Sequence, residues 1–174
     1  MGHSPGNEEA YAFVTVEQST DLGFYGGCLL LNRFARPLEF HCSLPIQPSK
    51  AHVILYGDTL LDYVCGELIA RGLVQRTKTV PALIFTDSQP VLSLRHVQDL
   101  PVAWVIASNT AEGSGATSEM PLGDRCIHVL TPYARDLEVF RRVWEKSAPQ
   151  IDLQEPFGRI RQALSEANPL SKAA

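Results

Sequence analysis

The order of the apolar segments predicts a single α/β domain, with a mixed sheet that joins an antiparallel hairpin to parallel strands and is covered by helices. Three observations carry this. Three strand-like runs come first with no helix between them. A long amphipathic helical pattern follows. Then come two runs that are apolar throughout, joined by a crossover of about a dozen residues, which is how buried parallel strands read. The 174 residues suit one domain. It is expected over 10–167, with a disordered start at 1–9 and a frayed tail at 168–174.

Residues 11–17 place Tyr11, Phe13, Thr15 and Glu17 on one face and Ala12, Val14 and Val16 on the other, a strand mostly buried on one side. Gly23, Gly26 and Gly27 bracket Phe24 and Tyr25, which predicts a bulge or bend before a short central strand at 28–31. The turn at 32–37 leads into a third strand at 38–44, with Leu38, Phe40, Cys42 and Leu44 facing one way. Strands two and three thus form a hairpin. Ser49 after Pro48 is an N-cap signal, and Gly57 interrupts the helix it starts.

Asp58 can cap a second segment in which Leu61, Val64, Cys65, Leu68, Ile69 and Gly72 form the stripe of a helix lying on a sheet, with Gly66 where the helix approaches closely. Runs at 80–86 and 101–107 read as parallel strands, with a short helix or turn at 90–97 between them. The polar stretch 108–124, with Gly113 and Gly115 at its centre, reads as a mobile surface loop. A last strand at 125–130 leads to a helix capped by Thr131 with Pro132 at its first position, and Tyr133, Leu137, Phe140 and Trp144 share one face of it. A final helix at 156–167 carries Phe157, Ile160 and Leu164. Leu61, Val64, Leu68, Phe40, Leu83, Phe85, Val105 and Trp144 are expected to share one core.

Composition narrows the function classes. The chain is 45% hydrophobic and 20% charged with a net charge of −4, which offers no electrostatic footprint for nucleic acid. Residues 1–100 hold 7 Lys/Arg against 10 Asp/Glu and residues 101–174 hold 8 against 9, so neither half is a basic arm or acidic tail. The polar start and short apolar runs predict a soluble, cytoplasmic protein with no membrane span. Cys28, Cys42, Cys65 and Cys126 sit singly in apolar segments, as four buried reduced thiols would.

No phosphate loop, zinc ribbon, nucleophile elbow or dinucleotide fingerprint occurs. His52, His96 and His128 show no metal-ligand spacing with one another or with the cysteines. Glu39 and His41 share one face of the third strand, which suits either an imidazole held for acid–base work or a solvated strand face. Arg135, Arg141 and Arg142 interleave with Asp136, Glu138 and Glu145, the pattern of a solvated helix rather than an anion site.

The order strand, strand, strand, helix, strand, helix, strand, helix resembles the ribonuclease-H-like fold over residues 10–146. That resemblance implies carboxylates on the first strand, in the first long helix and at the end of the fourth strand, clamping two divalent ions about 4 Å apart. Glu17, Glu67 and Asp87 stand at those places, although the family's first-strand acid is usually Asp. The expected function is nevertheless a non-enzymatic protein-binding or assembly module, meeting a protein partner or itself, without nucleic acid and without a cofactor. The alternative is a metal-dependent nuclease or phosphodiesterase using Mg²⁺ or Mn²⁺ at Glu17, Glu67 and Asp87. A small-molecule site at the ends of the parallel strands, near Asp87, Gln89, Ser108 and Asn109, is a third possibility.

Overall fold

The continuous apolar run Tyr11-Ala12-Phe13-Val14 makes Tyr11–Ser19 (β1) a strand that is apolar on both faces over its first half, as a central strand is. In the computed structural model, which describes residues 9–106 and 115–168, β1 lies third in a seven-stranded sheet. The other strands are Gly23–Leu31 (β2), Pro37–Cys42 (β3), Leu83–Thr86 (β4), Val102–Ile106 (β5), Thr117–Leu122 (β6) and Arg125–Leu130 (β7), in the spatial order β3-β2-β1-β4-β5-β7-β6. β4 runs parallel to β1 and to β5, and every other pairing is antiparallel. The chain is therefore a single α/β domain on a mixed sheet.

β2 is one unbroken nine-residue strand rather than a bend followed by a short strand. Its glycines serve packing. A Cβ on Gly26 would lie 2.9 Å from Ile69 on one face, and a Cβ on Gly27 would lie 2.7 Å from Ile160 on the other. Elements on both faces therefore close onto β2 only where no side chain intervenes.

Two cores result, one on each face. On one, Tyr11, Phe13, Leu83, Phe85 and Val105 meet Phe140 of Asp136–Ser147 (α3) and Phe157, Ile160 and Leu164 of Glu155–Ala167 (α4). On the other, Ala12, Val14, Leu30, Ile84 and Trp104 meet Val64, Cys65, Ile69 and Leu73. The single core expected from the sequence thus divides: Leu83, Phe85, Val105 and Trp144 belong to the first and Val64 to the second. Phe40, Leu61 and Leu68 belong to neither interior and are 39%, 46% and 38% exposed.

The winding of the second segment explains Leu61 and Leu68. Asp62–Ala70 is a π-helix, continuing into the α-helix Arg71–Gln75 (α2). Its i→i+5 bonds wind the chain more widely than 3.6 residues per turn, so the buried set becomes Val64, Cys65, Gly66, Ile69 and Ala70, and Leu61 and Leu68 turn outward from the expected stripe. Gly66 does mark a close approach, but to the 3₁₀ stretch Gln89–His96 and not to the sheet. A Cβ there would overlap the Ser93 hydroxyl and lie 2.9 Å from the Leu94 nitrogen.

Other differences are local. β3 is an edge strand, which leaves Cys42 exposed, and Cys126 is half-buried, so only Cys28 and Cys65 are the buried thiols expected. Burial holds the Cys28 thiol up at about 12 and the Cys65 thiol at about 11. The polar stretch 108–124 contains β6, because Met120 and Leu122 alternate inward against Ile127 and Val129. Residues 107–114 lie outside the described residues, as do 1–8 and 169–174, and with them the expectations for the start, the tail and Gly113. Thr131–Tyr133 is a separate 3₁₀ turn and α3 begins at Asp136, while Ser49 caps Lys50–Tyr56 (α1) and Gly57 ends it, as expected. No helix among the described residues is long and apolar enough to cross a membrane.

Candidate functional sites

Three polar clusters sit on this frame. The first lies where β1 and β4 end, on the α4 face. Glu17 follows Tyr11, Phe13 and Thr15 at even spacing, so its side chain leaves the sheet toward α4, and Asp87 leaves the end of β4 on the same side. Both carboxylates meet Arg161 of α4. Its Nε donates to Glu17 at 2.6 Å and its terminal nitrogen to Asp87. Thr15 donates from its hydroxyl to the other Asp87 oxygen at 2.9 Å. Burial works against the Arg161 charge, but Asp87 and then Glu17 outweigh it and raise its pKa.

Two of the three acids named from the sequence are thus brought together, with a guanidinium between them. Glu67 is not. It lies in the π-helix on the opposite face of the sheet. A two-ion clamp would have to displace Arg161 and find a third carboxylate other than Glu67. Of the third site considered, Asp87 is engaged as described, and Ser108 and Asn109 lie outside the described residues.

The second cluster joins Glu39 and His41, whose ring Nε2 is 2.9 Å from a Glu39 oxygen. Glu39 also accepts the backbone N–H of Lys78 at 3.0 Å and of Thr79 at 2.7 Å. Its carboxyl is lowered to about 2, first by the His41 hydrogen bond and then by the Lys78 N–H. A carboxylate so engaged fastens β3 to the chain entering β4, and His41 serves that fastening.

The third cluster corrects the expectation that His128 has no metal-ligand relation to the cysteines, because strand pairing assembles it. β6 and β7 form a hairpin in which Glu119 stands opposite His128 and Pro121 opposite Cys126. Opposed residues share a face, and Cys126 and His128 share it through the two-residue strand period. Glu119, Cys126 and His128 thereby bring one ligand atom each within 4.8 Å of one another. Burial, and then the Glu119 charge, push the Cys126 thiol up. The pattern Cys126-Ile127-His128 in a predicted strand was the available signal; the Glu119 register was not.

Beside this hairpin, a cleft of about 290 Å³ is lined by Asp58, Asp62, Ser93, His96 and Thr117. Asp62 is raised by burial, with His96 acting in the opposite direction. The apolar surface lies elsewhere. Val53, Ile54 and Leu55 of α1 are 51%, 79% and 81% exposed, and Leu44 nearby in the chain is 79% exposed. No protein-family model matches the chain, and no curated protein matches it.

Proposed function

We propose that this chain is a non-enzymatic assembly module and that α1 pairs with α1 of a second copy. One observation carries the reading: α1 buries none of its seven residues, although Ala51, Val53, Ile54, Leu55 and Tyr56 are apolar or aromatic. A helix that short has no stability of its own in water, where about 12–15 residues are marginal. Apolar surface of this kind marks an interaction site. Self-pairing is favoured by charge. Two α1 helices related by a twofold axis at Ile54 set Lys50 of one copy toward the C-terminal end of α1 in the other, where Asp58 follows in the 3₁₀ turn Gly57–Thr59. A cytoplasmic setting suits the reading, since Cys28, Cys42, Cys65 and Cys126 are all free thiols.

Sedimentation velocity over a concentration series tests it. The wild type is expected to dissociate from dimer to monomer on dilution, and Ile54→Glu with Leu55→Glu to be monomeric at every concentration with unchanged circular dichroism. Lys50→Glu is expected to weaken the dimer and Lys50→Glu with Asp58→Lys to restore it. A wild type that is monomeric throughout, or a dimer that survives the paired Glu substitutions, overturns the proposal.

A second reading, the metal-dependent nuclease or phosphodiesterase, is favoured by the meeting of Glu17 and Asp87 at the strand ends. Arg161 already supplies positive charge there. On this reading Mg²⁺ or Mn²⁺ raises the melting temperature of the wild type but not of Asp87→Asn, with cleavage of single- or double-stranded substrate lost in parallel. Melting curves indifferent to both ions remove it.

A further inference from the structure

We infer that Glu119, Cys126 and His128 form a binding site for a zinc-class divalent cation on the β6–β7 hairpin. The hairpin holds the three ligands in place. Gly123, at φ +58°, takes the first central position of a two-residue turn between Leu122 and Arg125, the glycine position of a type II′ turn that matches strand twist. That turn fixes the register which sets Glu119 against His128.

The imidazole supplies the second observation. His128 is 1% exposed, shielded by Trp104, whose ring centre is 5.5 Å away. Its Nε2 is buried and makes no hydrogen bond among the described residues. The nearest Glu119 oxygen is 3.3 Å away, without a hydrogen bond between the two. A buried ring nitrogen without a partner carries a desolvation cost that a bound cation removes. On the other side of the ring, Thr117 Oγ1 lies 3.3 Å from Nδ1. An Nδ1–H donated to that oxygen leaves the Nε2 lone pair directed into the cluster, the arrangement by which outer partners orient metal-bound histidines.

Spacing and donor type choose the ion. Two ligands of one tetrahedral zinc stand roughly 3.3–3.8 Å apart, given bond lengths of about 2.0–2.3 Å. The His128–Glu119 separation of 3.3 Å already meets that, and the full spread of 4.8 Å closes with a modest rotation of the exposed Glu119. A thiolate with an imidazole suits Zn²⁺, whereas Mg²⁺ and Ca²⁺ prefer oxygen alone. As the sulfur–metal bond forms, the Cys126 thiol gives up its proton to solvent. Three protein ligands leave a fourth position. Water or a small anionic ligand would take it, since the Glu119 side chain is 66% exposed and leaves the cluster open to solvent.

Metal titration of the full chain with Zn²⁺, and with Co²⁺ as a spectroscopic substitute, tests the site. The expected result is one Co²⁺ per chain, with the intense visible bands of tetrahedral cobalt and a thiolate charge-transfer band in the near ultraviolet. Cys126→Ser should abolish the charge-transfer band, and Glu119→Gln, at an exposed edge position, should weaken Zn²⁺ affinity at least ~10-fold without affecting the fold. Cys42→Ser, on β3, should change neither. Cobalt bound without a thiolate band, Zn²⁺ affinity unchanged in Glu119→Gln, or loss of the band in Cys42→Ser overturns the inference.

Discussion

The two faces of the sheet are covered by different kinds of helix. On one, α3 and α4 are regular: Phe157, Ile160 and Leu164 recur at three- and four-residue steps along α4, and with Phe140 of α3 they are all at most 2% exposed. On the other, a π-helix and a 3₁₀ stretch interlock at Gly66 and Ser93, and the single Ser93 O–H is shared between the Asp62 carbonyl at 2.6 Å and the Pro90 carbonyl at 2.9 Å. The first face is held by side-chain volume, with the Arg161 pairs to Glu17 and Asp87 at its edge. The second depends on two backbones lying close together, with a side-chain hydroxyl taking up carbonyl groups. A single added methyl group at Gly66 meets backbone and should therefore be costly, whereas on the first face the large truncations should cost most.

The largest expected effect breaks the first face. Phe157 is fully buried and packs edge-on against Phe13 at 5.5 Å, so Phe157→Ala should cost about 3–5 kcal/mol in urea unfolding. Leu68→Ala, at a position the 3.6-residue stripe marks as core but the π winding turns outward, should cost less than ~1 kcal/mol. Comparable losses for the two would mean that Leu68 faces inward and that the winding is α-helical.

Gly66→Ala comes next. Its Cβ would overlap Ser93 Oγ and lie 3.0 Å from the Pro90 carbonyl oxygen, and backbone does not yield as a flexible side chain does. The expected loss is about 1–3 kcal/mol, against the gain of up to ~1 kcal/mol that Gly→Ala gives in an exposed helix. Adding Ser93→Gly removes the hydroxyl and should recover part of the loss. A stabilised Gly66→Ala protein would show that the two segments stand apart.

The same contrast accounts for how much of the fold was legible. Hydrophobic period reads α-helices and alternating strands well, so β1, the β2–β3 hairpin, β4, β5, β7 and the α4 face follow from residues such as Phe13, Phe85 and Leu164. It misreads a π-helix, because Leu61 and Leu68 lie at α spacing and nothing in the composition announces i→i+5 bonding. It missed β6 because Thr117, Ser118, Glu119 and Pro121 are loop residues by composition, and only pairing with β7 makes them a strand. The site followed the same rule. Glu17 and Asp87 were found because topology alone places strand ends together; Arg161 was not, since a helix more than 70 residues further along the chain supplies it. Glu119, Cys126 and His128 depend on register, which is set by one turn at Gly123.

The smallest expected effect lies at the rim of the second face, where Glu39 fastens the edge strand β3 to residues 78–79. Its folded-state pKa is lowered to about 2 from an ordinary 4.5, first by His41 and then by the Lys78 N–H. A group depressed in the folded state binds its proton more weakly there than in the unfolded chain. Its contribution is complete above the unfolded value and is lost as pH falls from about 4.5 toward about 2. Glu39→Gln keeps the shape but cannot titrate, so its stability should fall less steeply across that window, while the wild type is the more stable near neutral pH. Because Glu39 is partly in contact with water, the difference should be modest and should shrink with added salt. Parallel acid-unfolding curves for the two proteins would show that the fastening is made by hydrogen bonds alone, without help from the carboxylate charge.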